Sequence, residues 1–75
     1  MKTINKDVYH GDGIFIDLDK AYRPYENLLN NHYKYLDKHK KYYFYCAKGI
    51  TSKRVVAILE AYGYDVTWVI NKDSC

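Results

Sequence analysis

The sequence is poor in the residues that mark the commoner chemistries of small proteins. Its two cysteines, Cys46 and Cys75, form no Cys-x-x-Cys pair, because Gly49 stands where the second thiol would be needed. That excludes a dithiol redox motif, and thiols this sparse favour free cysteines in a reducing compartment over a disulfide framework. The three histidines, His10, His32 and His39, are scattered without ligand spacing, so no metal centre is expected. No apolar run of roughly 7 to 15 residues follows a basic start, and no stretch approaches the roughly 20 residues of a membrane span. A cytoplasmic location without membrane association is therefore expected. Charge of one sign is also scarce: 12 lysines and arginines against 9 acids leave a formal net charge of +3, which favours a small anionic ligand only weakly and gives little support for nucleic acid. Internal repeats and low-complexity tracts are absent, and 75 residues accommodate a single domain, residues 1–75.

What the chain does hold is apolar and aromatic bulk. Ten tyrosines supply core volume while keeping a polar tip for the surface, a useful compromise near the lower size limit of a self-supporting core. Residues 14–18, IFIDL, are β-branched and aromatic and too short for a helix, so they predict a strand, with a short edge strand or turn near Thr3 and a turn over residues 10–13 before it. Pro24 suits a helix start, and the Asn30-Asn31 pair predicts a break between a helix from Tyr25 and a second helical turn over residues 33–36. The wholly aromatic run 42–45 reads as a buried parallel strand. Val55, Val56, Ile58, Leu59 and Tyr62 follow at helical spacing, Gly63 predicts the helix end, and residues 65–70 predict a last strand. Strand, helix, strand, helix, strand is the order of an α/β fold: a small, mainly parallel sheet of three to four strands with flanking helices and right-handed crossovers.

The segment between the aromatic strand and the long helix carries the chemistry. Cys46 lies at the carboxyl end of a strand and faces the amino end of the next helix, where unpaired N–H groups and the helix dipole favour an anion. Only a thiolate is a useful nucleophile. Gly49 permits a backbone conformation that turns successive N–H groups inward as an anion nest, and Thr51 and Ser52 offer side-chain oxygens to cap the helix or to reach the sulfur. Lys48, Lys53 and Arg54 add positive charge. Asp17 and Asp19, at the carboxyl end of the preceding strand, are expected beside this loop, because ligands of open α/β sheets collect at that end. The competing reading is a buried, inert cysteine with two solvated aspartates.

These residues resemble the rhodanese domain. The resemblance rests on IFIDL at 14–18, on Pro24-Tyr25-Glu26-Asn27-Leu28, and above all on residues 42–52, with Cys46, Gly49 and Ser52 in C-x-x-G-x-x-S spacing. It implies a reduced rhodanese-like fold and sulfur transfer without a cofactor. Cys46 would be the nucleophile that takes a sulfane sulfur from thiosulfate or a persulfide donor and passes it to a thiol, cyanide or a protein acceptor. Ala47, Lys48, Gly49, Ile50, Thr51 and Ser52 would form the anion-binding loop, with Asp17, Asp19 and Arg54 behind it.

The chain departs from that family at three places. Asp19 stands where the usual Asp-x-Arg pattern has arginine. Only Arg23 occupies the gap between Tyr22 and Pro24, where the family carries a Gly-His-Ile segment and another strand. The terminal helix is lacking after Val69. Apolar surface left by those losses predicts a tendency to form homodimers, and the alternative to an enzyme is a catalytically impaired binding or regulatory module. A cysteine phosphatase would need an arginine six positions after the cysteine, where Ser52 stands. The cysteine of a phosphocysteine sugar-transport subunit would follow the first strand. Nucleic-acid binding through residues 38–45 gives way to packing, because the tyrosines there belong to a predicted core strand.

Overall fold

The computed structural model describes residues 1–22 and 24–71. Four strands, β1 (Lys2–Asn5), β2 (Ile14–Asp17), β3 (Lys41–Tyr45) and β4 (Asp65–Ile70), form one all-parallel sheet in the order β1-β4-β3-β2. Helices α1 (Tyr25–Asn30), α2 (His32–Tyr35) and α3 (Ile50–Ala61) accompany it, so the expected α/β class and small parallel sheet are present. No helix among the described residues is long and apolar enough to cross a membrane.

Side-chain alternation divides the sheet into two faces. Tyr42 and Phe44 of β3, and Cys46 just after it, share one face with Val66 of β4 and pack in one core with Leu28, Val55, Val56 and Leu59 from the helices. Tyr43, Tyr45 and Val69 point the other way. Connections β2 to β3 and β3 to β4 step across the sheet in one direction, so right-handed crossovers put all three helices on the first face. The β1 to β2 connection steps back in the opposite direction, and the same handedness sends it over the second face. A 3-10 turn, Lys6–Val8, unforeseen in the sequence, begins that connection. Tyr9 then lies edge-on to Tyr43 with ring centroids 4.8 Å apart and seals this smaller cluster.

Helix α3 ends as its Gly63 predicts. That glycine has φ +96°, its N–H donates to the Glu60 carbonyl, and the Tyr64 N–H reaches back to Leu59. This is the pairing of a Schellman cap, and it brings buried Tyr64 against buried Leu59. The predicted break also holds, since the Asn31 side chain turns back to Asn27 and separates α1 from α2.

Sheet completeness is uneven. Strand β2 is an edge, with no strand beyond it among the described residues. On the helical face α3 lies over β3 and β4, while the strip beside it toward β1 is left as an open groove of about 600 Å³.

Candidate functional site

Cys46 follows β3 directly and is 2 % exposed, with its sulfur on the helical face. The turn behind it is tight. The Gly49 N–H donates to the Cys46 carbonyl at 3.2 Å, and Gly49 itself, at φ +79°, occupies the left-handed region that glycine alone enters without strain. Gly49 is also the N-cap of α3 and has no side chain with which to cap it. The sulfur fills that role: the Ser52 N–H, in the first turn of a 12-residue helix, donates to Cys46 Sγ at 3.2 Å. Neither Thr51 nor Ser52 caps α3 with its own oxygen, because the left-handed glycine already sets the start of the helix and the sulfur takes the amide; of the two roles expected for these hydroxyls, Ser52 fills the other and lies against the sulfur.

Ser52 is fully buried and sits at the centre of a small polar network. Its Oγ lies 3.3 Å from Cys46 Sγ, donates to the Gly49 carbonyl at 3.3 Å and accepts the Trp68 indole N–H at 3.0 Å. The hydroxyl carries one proton, so it cannot serve the carbonyl and the sulfur at once. With a thiol, the S–H donates to Oγ and the hydroxyl proton goes to Gly49. With a thiolate, the hydroxyl is free to turn toward the sulfur while Trp68 continues to donate to its lone pair. Trp68 is only half-buried and is part of this network. The signal in the sequence is its indole N–H, a donor that finds an acceptor when the ring is packed inward.

The remaining loop residues divide by position. Ala47 is exposed, and its N–H donates to Asp19 Oδ2 at 2.7 Å instead of facing the sulfur. The nest expected from Ala47 to Ser52 is therefore narrower than foreseen: two of its N–H groups serve Asp19 and the Cys46 carbonyl, and the Ser52 N–H serves the sulfur. Lys48 and Ile50 are exposed and line the groove, and Thr51 is half-buried in the first turn of α3. Asp17 does not reach the loop, but its Oδ1 accepts the Asp19 N–H at 2.9 Å and so holds the residue that does. Arg54 turns to the Tyr25 hydroxyl at 3.3 Å and also lines the groove. Cys75 lies outside the described residues.

Electrostatically, the sulfur faces the positive end of α3, with the Ser52 N–H donating to it. Lys48, Lys53 and Arg54 stand around that end, and none of them is ion-paired with a carboxylate among the described residues. Lys53 Nζ lies over the Trp68 ring, 5.4 Å from its centroid. Elsewhere, Tyr43 donates to Asp12 Oδ1 at 2.6 Å and, with Lys41 3.2 Å from Oδ2, holds the Asp12 carboxyl below its ordinary range. Burial pushes the Tyr64 phenol up, and that phenol pairs with His32 Nδ1 at 2.6 Å. Both groups belong to the scaffold and lie away from the sulfur. Comparison with protein-family models, with curated proteins and with solved structures found no match to this chain.

Proposed function

We propose that the protein is a rhodanese-type sulfurtransferase in which Cys46 carries the transferred sulfur as a persulfide. One observation carries this reading: in a C-x-x-G-x-x-S turn, Cys46 Sγ accepts the first-turn amide of α3 and lies 3.3 Å from the Ser52 hydroxyl, polar groups placed to hold the sulfur of a covalent intermediate. The Cys46 thiolate attacks the outer sulfur of thiosulfate, a new S–S bond forms, and sulfite departs with the electron pair of the bond that breaks. A thiol, cyanide or a protein thiolate then takes the outer sulfur and returns Cys46 to the thiolate. Lys48 draws the anionic donor toward the loop. Burial of the sulfur keeps water and stray thiols from the persulfide, and the exposed turn residues Ala47, Lys48 and Ile50 are the segment that must yield for a donor to reach it.

A second reading, a catalytically impaired binding or regulatory module, is favoured by the 2 % exposure of Cys46 and by Asp19, which takes the Ala47 amide away from the cradle. Intact-protein mass measured after incubation with thiosulfate or an organic persulfide separates the two. The enzyme gains the mass of one sulfur atom, Cys46→Ser gains none, and cyanide removes the gain. Absence of any adduct with either donor in the folded wild-type protein assigns the chain to the module instead.

A further inference from the structure

The groove beside α3 has a composition unlike the rest of the surface. Trp68 and Ile70 of β4 form its floor, Ala57 and Ile50 of α3 one wall, and three cations, Lys48, Lys53 and Arg54, stand at its mouth; no carboxylate lines it. Over the whole chain cations exceed acids by only three, so an unopposed group of three around one apolar trough is a local concentration of charge. Its volume of about 600 Å³ falls in the range of about 300 to 1,000 Å³ typical of small-molecule sites. A second copy of the chain is disfavoured as occupant, because a two-fold contact through this face would bring both protomers' three cations into one interface whose groove lining holds no carboxylate.

We propose that the groove binds a small amphiphilic anion, an aliphatic carboxylate of medium chain length, with its hydrocarbon against Trp68, Ile70 and Ala57 and its carboxylate between Lys53 and Arg54. Apolar burial supplies the affinity and the cations supply the sign of the charge. Lys53 already stands over the Trp68 ring, so a carboxylate drawn to its ammonium brings the chain onto the indole. This site does not use the thiol, and it stands whether or not Cys46 carries sulfur.

Trp68 is the only tryptophan and reports directly on occupancy. Titration of its emission with decanoate, decanol and decyltrimethylammonium, each below its micelle concentration, tests the inference. Saturable binding is expected for decanoate, weaker binding for decanol, and the weakest for the cation. The double variant Lys53→Glu/Arg54→Glu weakens decanoate by roughly tenfold or more, and Ala57→Phe, which fills the trough from an exposed helix position, abolishes binding without lowering the melting temperature. Cys46→Ser leaves decanoate binding unchanged, which separates this site from the sulfur chemistry. Equal responses to all three amphiphiles, or decanoate binding that survives the charge reversal, overturns the inference. So does a concentration-dependent dimer that Ala57→Phe dissociates, since a second copy would then own the groove.

Discussion

Replacing Ser52 by alanine tests the polar network most directly. The side chain is fully buried, and its oxygen holds the Trp68 indole N–H at 3.0 Å and the Gly49 carbonyl at 3.3 Å, beside the sulfur. Alanine removes the acceptor of the Trp68 N–H, that of the weak Cys46 S–H donor, and the donor to the Gly49 carbonyl. A buried group left unsatisfied costs about 1 to 3 kcal/mol. Half-exposed Trp68 recovers part of its loss from water, and the better helix propensity of alanine returns up to about 0.5 kcal/mol. A net loss of about 1 to 2 kcal/mol remains, which in a chain of this size lowers the melting temperature by about 5 to 15 °C. Urea and thermal unfolding followed by far-ultraviolet circular dichroism measure it, because the same signal serves for Trp68→Phe. The double variant closes a cycle in which the two losses should be coupled by about 1 kcal/mol. Thr51→Ala, one position away and half-exposed, should stay within about 0.5 kcal/mol of wild type. A Ser52→Ala loss no larger than that of Thr51→Ala, or two strictly additive losses in the cycle, would show that the hydrogen bonds around Ser52 do not hold the loop.

Gly49→Ala places a Cβ on a buried residue at φ +79°; a destabilisation of about 1 to 2 kcal/mol is expected, together with slower sulfur loading in the mass assay, and a variant as stable as wild type would remove the left-handed turn from the account. For Asp12 the expectation concerns pH. The Tyr43 hydroxyl, aided by Lys41, depresses its folded pKa below the ordinary 3.8. Stability from this carboxylate is therefore fully present well above pH 3.8 and is lost as pH falls through the lower, folded value. The stability gap between wild type and Asp12→Asn should be constant near neutrality and shrink in acid; a gap independent of pH down to acid unfolding refutes it.

Much of the scaffold is legible in the residues because burial leaves a simple imprint on them. An aromatic run with no polar break at 42–45 marks a strand covered on both faces, and it proves to be a central one. Helical spacing from Val55 to Leu59 marks α3, and the asparagine pair separates α1 from α2. The turn at Lys6–Val8 left no such imprint, since three residues of polar 3-10 helix have no periodicity. Its importance comes from Tyr9, which covers a face that only the strand order reveals. After β3, the glycine turn at Gly49 could be read from the sequence. The paths of the individual N–H groups could not: Asp19 reaches Ala47 across 28 positions, and Trp68 reaches Ser52 across 16. Such partners are set by how elements distant in the chain pack together, which local pattern does not record.

The pairing of β1 with β4 has a kinetic consequence. Lys2 sits opposite Thr67, so nearly the entire chain lies between the partners, whereas β2, β3 and β4 follow one another around short crossovers. Closing so long a loop is entropically the least favourable step of assembly, and its reward comes only after β4 is in place. β1 should therefore dock last and detach first, with its amides exchanging with deuterated solvent ahead of those of β3. Met1, just ahead of β1, lines the groove beside α3. That trough is thus the last surface the protein builds and the first it gives up, and anything bound there would act as a clasp between the two most distant parts of the chain.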